Sequence, residues 1–410
     1  VTGAESRRRR LVVVASGVSW DGVKGSERQL AQALTAHAEI LWADPPVSPV
    51  TAARFRGVAV TGRHWRPTLT EVADGITRLT PLAPPGLSRP GIREVTWPAA
   101  RAQLRWAVRR LGKRPHAVIS CSVNDVLGHW PPGVVQVLYG TDDWVAGAEL
   151  MGLDPRRVVQ DERKALGHAN LVLAVGPELA ERWRSLGVTA REFPNGCEPE
   201  AYEGLESEPP AELPAGFPTP VAGLSGQLSE RIDLAFLEAV ADTGLGLVLV
   251  GPRDPAWQPE RVDALLRRDN VHYAGALPFE RLRPWLARFD VGLTPYADTA
   301  FNRASFPLKT LEYLAAGKPV VSTDLPASRR LRAETAEIRL ASTPRDFAAA
   351  VREAVRQKGD PAARREVARR HSWRTRADEL AEMLGLSRHV QQSPPFSRLS
   401  QREIPPEGER

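Results

Sequence analysis

Short runs of consecutive apolar residues, each bounded by turn residues, alternate along this chain with stretches in which apolar side chains recur every three or four positions. Leu11–Ala15, Ile40–Ala43, Ala117–Ser120, Val134–Leu138 and Leu171–Ala174 read as buried strands, because a strand covered on both faces shows no polar alternation. Helical spacing runs between them over Ser26–Ala36, Ala99–Leu111, Arg157–Gly167 and Glu178–Leu186. This alternation predicts a doubly wound, parallel α/β sheet. After the turn Pro194-Asn195-Gly196, the stretch Gly204–Pro220 is rich in Pro, Glu and Gly and has no period, which marks a domain boundary. A second set of strands follows at Val221–Leu224, Leu247–Val250, Val271–Tyr273, Val291–Leu293 and Val320–Ser322. Its helices are expected at Asp233–Ala241, Pro259–Arg267, Phe279–Arg288, Leu308–Ala316, Ser328–Arg332 and Pro344–Lys358.

The pattern therefore divides the chain into a first Rossmann-like domain over 1–203 and a second over 204–372. An amphipathic helix follows His371-Ser372-Trp373 (373–387), and the polar, Pro-containing tail 388–410 is expected to be disordered. Ligands of open α/β sheets bind beyond the carboxyl ends of the strands, so two such domains in tandem imply a cleft between them. The length of 410 residues suits two domains that each bury a core.

Chemistry is densest between Phe301 and Val321, FNRASFPLKTLEYLAAGKPVV. Pro307 is suited to the first turn of a helix, Leu308, Leu311 and Leu314 share one face, and Gly317 with Pro319 ends the helix before a strand. The free N–H groups of that helix start suit a phosphate, Lys309 adds a full charge there, and the Glu312 carboxylate can accept from a ribose diol. A surface αβ unit with a solvated Lys and Glu fits the same spacing.

This segment resembles the donor-site signature of GT-B glycosyltransferases of the family 4 type, in the local Pro-Leu-Lys form of teichuronic-acid-type transferases. The resemblance implies two Rossmann-like domains facing a central cleft, a last helix that crosses back to the first domain, and transfer of a sugar from a nucleotide-diphosphate sugar with retention. In the family a Glu-x7-Glu element sits here, the second Glu on the ribose and the first on the donor sugar. Glu312 matches the second; eight positions earlier stands Ala304, so the first is absent. The segment Gly223–Asp233 looks like the first strand and loop of the family's donor domain, with Gly226 in the loop, Gln227 where the family has Arg, and Arg231 nearest to its Lys. The resemblance thus implies that Arg231 and Lys309 neutralise the leaving diphosphate and that Ser305, Pro307 and Leu308 border it. It sets the backbone of Ala276 and Leu277 against the nucleobase, and uses the loop at Gly25 and Ser26 on the diphosphate or acceptor side.

Asp142 and Asp143, just past a strand end, either bind acceptor hydroxyls as an ionised pair or cap the following helix. Trp20-Asp21-Gly22 is a candidate wall of the acceptor pocket. His116 and His129 are weak candidates for a base, and the retaining scheme needs none if the leaving phosphate takes the acceptor proton. No Asp-x-Asp and no His/Asp/Glu cluster has ligand spacing, so no metal or other cofactor is expected beyond the nucleotide sugar as co-substrate. Two cysteines, Cys121 and Cys197, exclude a disulfide framework or thiolate cluster.

The formal charge is +6, and it is uneven. Arg101, Arg105 and Arg109 are spaced to share a helix face near Trp97 and Trp106, either as a dock for an anionic membrane surface or as a solvated surface. No nucleic-acid module accompanies the charge, so nucleic acid is not expected as a partner. No apolar run approaches the roughly 18 residues of a span, and Leu11–Ala15 after Arg7–Arg10 is too short for a signal-peptide core. The expected location is cytoplasmic, with peripheral attachment at the inner face of the membrane if the basic helix docks there. The acceptor is expected to be a glycan, a lipid-linked saccharide or a small molecule. A nucleotide-sugar epimerase and a nucleotide-sugar-binding protein without activity are the rival readings.

Overall fold

The computed structural model describes residues 9–22, 24–48, 66–86, 89 and 91–386. Arg7, Arg8 and the tail 388–410 lie outside the described residues. The first domain runs β1 (Leu11–Ala15), α1 (Ser26–Leu34), β2 (Glu39–Ala43), β3 (Thr68–Ala73), β4 (Ile76–Thr80), α2 (Ile92–Arg110), β5 (Pro115–Ser120), β6 (Val135–Gly140), α3 (Pro155–His168), β7 (Leu171–Ala174), α4 (Pro177–Ser185) and β8 (Ala190–Glu192). The sheet order is β3-β4-β2-β1-β5-β6-β7-β8.

The sheet is not wholly parallel as expected, because β3 pairs antiparallel with β4 at one edge. This hairpin turns at Asp74-Gly75, where Gly75 has φ +73°, a conformation that disfavours any side chain. Its threonines and charged residues are half-exposed or fully exposed, so it has no continuous apolar run to betray it. Helix α2 begins seven residues ahead of the expected Ala99, and Pro98 lies on its exposed side.

The second domain continues with β9 (Val221–Ser225), α5 (Leu234–Ala241), β10 (Gly246–Val250), α6 (Pro259–Leu266), β11 (Val271–Gly275), α7 (Arg283–Arg288), β12 (Val291–Thr294), α8 (Ala300–Ala304), α9 (Leu308–Ala315), β13 (Val320–Thr323), α10 (Pro326–Glu334), β14 (Ile338–Ala341), α11 (Pro344–Arg356) and α12 (Pro361–Arg370). Its sheet is parallel throughout, in the order β11-β10-β9-β12-β13-β14. The expected helix Phe279–Arg288 is instead a 3-10 turn over Phe279–Arg281 followed by α7. Pro284 has no N–H to bond back to Glu280, so the helix restarts with the proline in its first turn.

The last helix, α13 (Trp373–Met383), returns to the first domain. Trp373, Ala377, Leu380 and Ala381 are buried with Val12, Val14, Leu30 and Leu34 in one apolar cluster. Ser372 caps the helix by accepting the Thr375 N–H at 3.1 Å. Just before it, the interdomain segment pairs with this returning chain: the Cys197 N–H donates to the His371 carbonyl and the Trp373 N–H to the Cys197 carbonyl, both at 2.9 Å. Gly196 permits that approach, since a Cβ there would lie 2.8 Å from the Trp373 nitrogen.

Candidate active site

A cavity of about 640 Å3 opens between the two domains at the carboxyl ends of their strands. Gly25 lines it from the first domain, Tyr202 from the interdomain segment, and Gly226, Ala276, Leu277, Leu308, Lys309 and Glu312 from the second. A cavity of about 220 Å3 continues past Gly226 and Lys309 to Arg231 and Tyr296. Arg231 also borders a recess lined by Ser305 and Pro307. Ser26 is half-buried as the first residue of α1. The residues singled out on the second domain therefore surround one continuous space. Tight backbone packing shapes it: a Cβ on Gly251 would fall 1.9 Å from the Gly226 carbonyl oxygen.

Helix α9 points its first turn into this space, and Pro307 stands immediately before the first helical residue instead of within the turn. Lys309 and Glu312 are not independent groups. Nζ of Lys309 donates to Oε2 of Glu312 at 2.7 Å, and buried Tyr202 lines the same cavity as Glu312. Burial alone would lower the Lys309 pKa, but the Glu312 charge and hydrogen bond outweigh it and hold the ammonium above the ordinary lysine value. Lys309 is thus charged and loosely neutralised in the free protein.

Arg231 is held differently. Its Nε donates to Oδ1 of Asn302 at 3.2 Å, and its guanidinium lies 4.9 Å from the Phe301 ring centroid and 5.6 Å from that of Tyr296. Asn302 and Phe301 belong to α8, a five-residue helix just ahead of Pro307. Ala304 ends α8 and is buried against the first domain, where a Cβ on Gly176 would lie 3.2 Å from its carbonyl oxygen.

The structure splits the Asp142–Asp143 pair. Asp143 is buried and structural: Oδ1 accepts the Val145 and Ala146 N–H groups at 3.1 and 3.0 Å, and the carboxylate pairs with Arg182 at 2.9 Å. Asp142 is half-buried within the field of Arg231, across the domain boundary. Burial raises its pKa to about 6; Arg231 opposes the rise and Asp143 adds to it.

Sequence reasoning overlooked Glu27. It is buried, accepts hydrogen bonds from the Ser16 hydroxyl and from the Gly17 N–H at 3.0 Å, and interacts with Asp142. Burial lifts its pKa to about 7 against the pull of those hydrogen bonds. In the sequence it reads as an acid in the first turn of a helix, a common dipole-complementing choice, and only its depth shows otherwise.

Other candidates fall away from the cleft. His116 Nε2 is 2.6 Å from the Leu384 carbonyl, and His129 is 3.4 Å from Asp125. Trp20 is buried, with its N–H donated to Asp44 at 2.9 Å and the Arg28 guanidinium 4.3 Å from its ring centroid; of its tripeptide, Gly22 lines the large cavity. The basic face of α2 is narrower than its spacing suggests. Arg101 turns inward to Asp125 at 2.5 Å and Trp97 is buried, while Arg105, Arg109 and Trp106 remain exposed.

Residues 228–357 match the family model described as Glycosyl transferases group 1. Over 202 residues the chain is 29% identical to the putative teichuronic acid biosynthesis glycosyltransferase TuaH of Bacillus subtilis (strain 168). That match covers 48% of this chain and 51% of the relative, so it spans about half the length of the curated protein. Among solved structures, sucrose-phosphate synthase from Thermosynechococcus elongatus superposes with a TM-score of 0.62 at 18% identity, covering 92% of this chain and 97% of that one. HepE of Anabaena, solved in complex with UDP, gives 0.60 at 14% identity, covering 92% and 99%. The chain has the GT-B fold.

Proposed function

From a GT-B fold whose second domain matches group 1 of the glycosyl transferases, we infer that the protein moves a sugar from a nucleoside-diphosphate sugar to an acceptor hydroxyl. The observation that carries this is the interdomain cavity that brings the first turn of α9, with Lys309 and Glu312, together with the Gly25 loop, and the adjoining cavity that reaches Arg231. HepE, of the same fold, was solved with UDP. Cleavage of the glycosidic bond puts negative charge on the departing diphosphate, and Arg231, Lys309 and the amide groups opening α9 are the positive groups placed to meet it. Glu312, held by Lys309 in the free protein, then takes the ribose. With these cations in place the reaction proceeds without a metal. Retention follows if the acceptor approaches the face the diphosphate leaves and gives its proton to the phosphate. Asp142, ionised above about pH 6, orients the acceptor hydroxyl from the first domain.

The half-length likeness to a teichuronic acid transferase favours a cell-surface glycan or glycolipid as acceptor. Among the described residues no helix is long and apolar enough to cross a membrane. The reading places the protein in the cytoplasm with the outer face of α2 against the inner membrane surface. A mass-spectrometric screen of nucleotide sugars tests the assignment: one of them should bind and be turned over, slow hydrolysis included, and turnover should survive EDTA. Binding without turnover would leave a sugar-nucleotide-binding protein, and loss in EDTA restored by magnesium or manganese would reject the metal-free scheme.

A further inference from the structure

The large cavity holds a second lysine–glutamate pair that the donor reading does not use. Nζ of Lys24 donates to both carboxylate oxygens of Glu198, at 2.8 and 2.9 Å, and both side chains line the same space as Lys309 and Glu312. Lys24 stands two residues ahead of α1 on the first domain. Glu198 follows Cys197 on the interdomain segment, whose backbone is tied to the start of α13. Among the described residues, no other hydrogen bond holds either side chain. Both are about one-third exposed, at 36% and 34%, and a pair so open to water contributes little to stability.

A pair that does little for the fold is easily exchanged. A diphosphate brings more than one negative charge and several acceptor oxygens, whereas Glu198 offers one carboxylate, so an ammonium within reach of both favours the diphosphate. We propose that Lys24 is the first domain's ligand for the donor diphosphate and that Glu198 is its competitor, holding Lys24 at the cavity wall until the nucleotide displaces it. The proposal rests on the reading of the cavity as a nucleoside-diphosphate site. The exchange ties the first domain to a ligand seated on the second, so that donor binding itself favours the closed cleft.

The two partners of this pair should therefore act in opposite directions. In calorimetric titrations of the full chain with UDP, and with GDP and ADP alongside, Lys24→Ala should weaken diphosphate binding about tenfold, the loss expected for one charge-assisted contact. Glu198→Gln should tighten it severalfold by removing the competitor, and the double variant should behave like Lys24→Ala. Binding of the corresponding nucleoside should not change in any of them. A merely structural ion pair predicts that both variants shift affinity the same way. That result, or no change from Lys24→Ala while Lys309→Ala still weakens binding, overturns the proposal and leaves the donor reading standing. Failure of the wild-type protein to bind any nucleoside diphosphate overturns both.

Discussion

Lys309 carries a full positive charge in the first turn of α9, where the helix already presents the positive end of its dipole, and Glu312 three residues on compensates for it in the free protein. The same arrangement suits a group that must meet charge only when a ligand arrives. Lys309→Ala and Arg231→Ala should each lower turnover at saturating donor by about 10²–10³-fold, the usual effect of deleting one donor to a developing anion. Near-wild-type turnover in both would place the diphosphate elsewhere. Glu312→Gln should weaken calorimetric binding of the free nucleoside diphosphate and of the nucleotide sugar alike; unchanged affinity for both would move the ribose. Glu27 governs a different observable. Its carboxyl titrates near 4.5 when unfolded and at about 7 when folded, because burial disfavours the charged form. Between those values the native state binds more protons than the unfolded one, so Glu27's contribution to stability is fully present below pH 4.5, falls as pH rises and is lost above about 7. The window is worth on the order of 3 kcal/mol. Urea titrations across pH should show this fall in the wild type and lose it in Glu27→Gln; a parallel pH profile in the two proteins would mean that Glu27 is solvated.

At the scale of elements, what was legible in the sequence is what the core covers on both faces. β1 and β7 fall at the expected residues, and the other runs of Val, Leu and Ile lie within a residue or two of their strands. β3, β8 and β14 escaped because edge strands are short or polar, and β4, one strand in from the edge, because it shares the hairpin's pattern: Thr68–Thr80 mixes threonines and charged residues with apolar ones, and Ile338–Ala341 buries only its ends. α8 reads as a polar loop since it is five residues long, with Thr299 capping it and Asn302 buried. In the site, the Pro-Leu-Lys/Glu segment announced a helix start at a cleft, but not that Lys309 and Glu312 bond each other or that Tyr202 lines their cavity, because i, i+3 spacing is equally common on solvated helices. The split of Asp142 from Asp143 was equally hidden, since it depends on which way each side chain turns after β6. The return of α13 has an energetic consequence. Leu380 is fully buried in the first domain's core although it follows the whole second domain in sequence. Leu380→Ala should cost about 2–5 kcal/mol, and equilibrium urea unfolding should show the loss in a transition that also reports the first domain, followed by a tryptophan such as Trp42. A loss confined to the second domain would separate α13 from the first domain's stability.

At the scale of the molecule, the exposed surface is as uneven as the charge. Of the eight large apolar residues left exposed among the described residues, five belong to the outer side of α2 or the loop before α3: Val95, Trp106, Leu150, Met151 and Leu153. The Arg157–Glu94 contact at 3.5 Å joins the starts of the two helices. Exposed Arg105, Arg109 and Arg110 lie on the same helix as Trp106, and the only acid on its outer face, Glu94, is the one held by Arg157. The first domain therefore offers apolar residues flanked by cations, the composition that an interfacial surface requires, with Met151 approaching Phe301 and so the edge of the cleft beside Arg231. An acceptor held in a bilayer would reach the cleft from that side. Each basic residue near an anionic surface adds an attraction of about 1 kcal/mol, and at 0.1 M salt this field decays over about 10 Å. Sedimentation with anionic phospholipid vesicles at low salt should recover the protein in the pellet, and neutral vesicles should not. Charge reversal at Arg105, Arg109 and Arg110 should abolish the salt-sensitive part, while Trp106→Ser with Met151→Ser should weaken binding at every salt concentration, because apolar insertion is not screened. No association with anionic vesicles at low salt would remove the bilayer from the acceptor's route and leave this face an ordinary solvated one, serving an acceptor that arrives from solution.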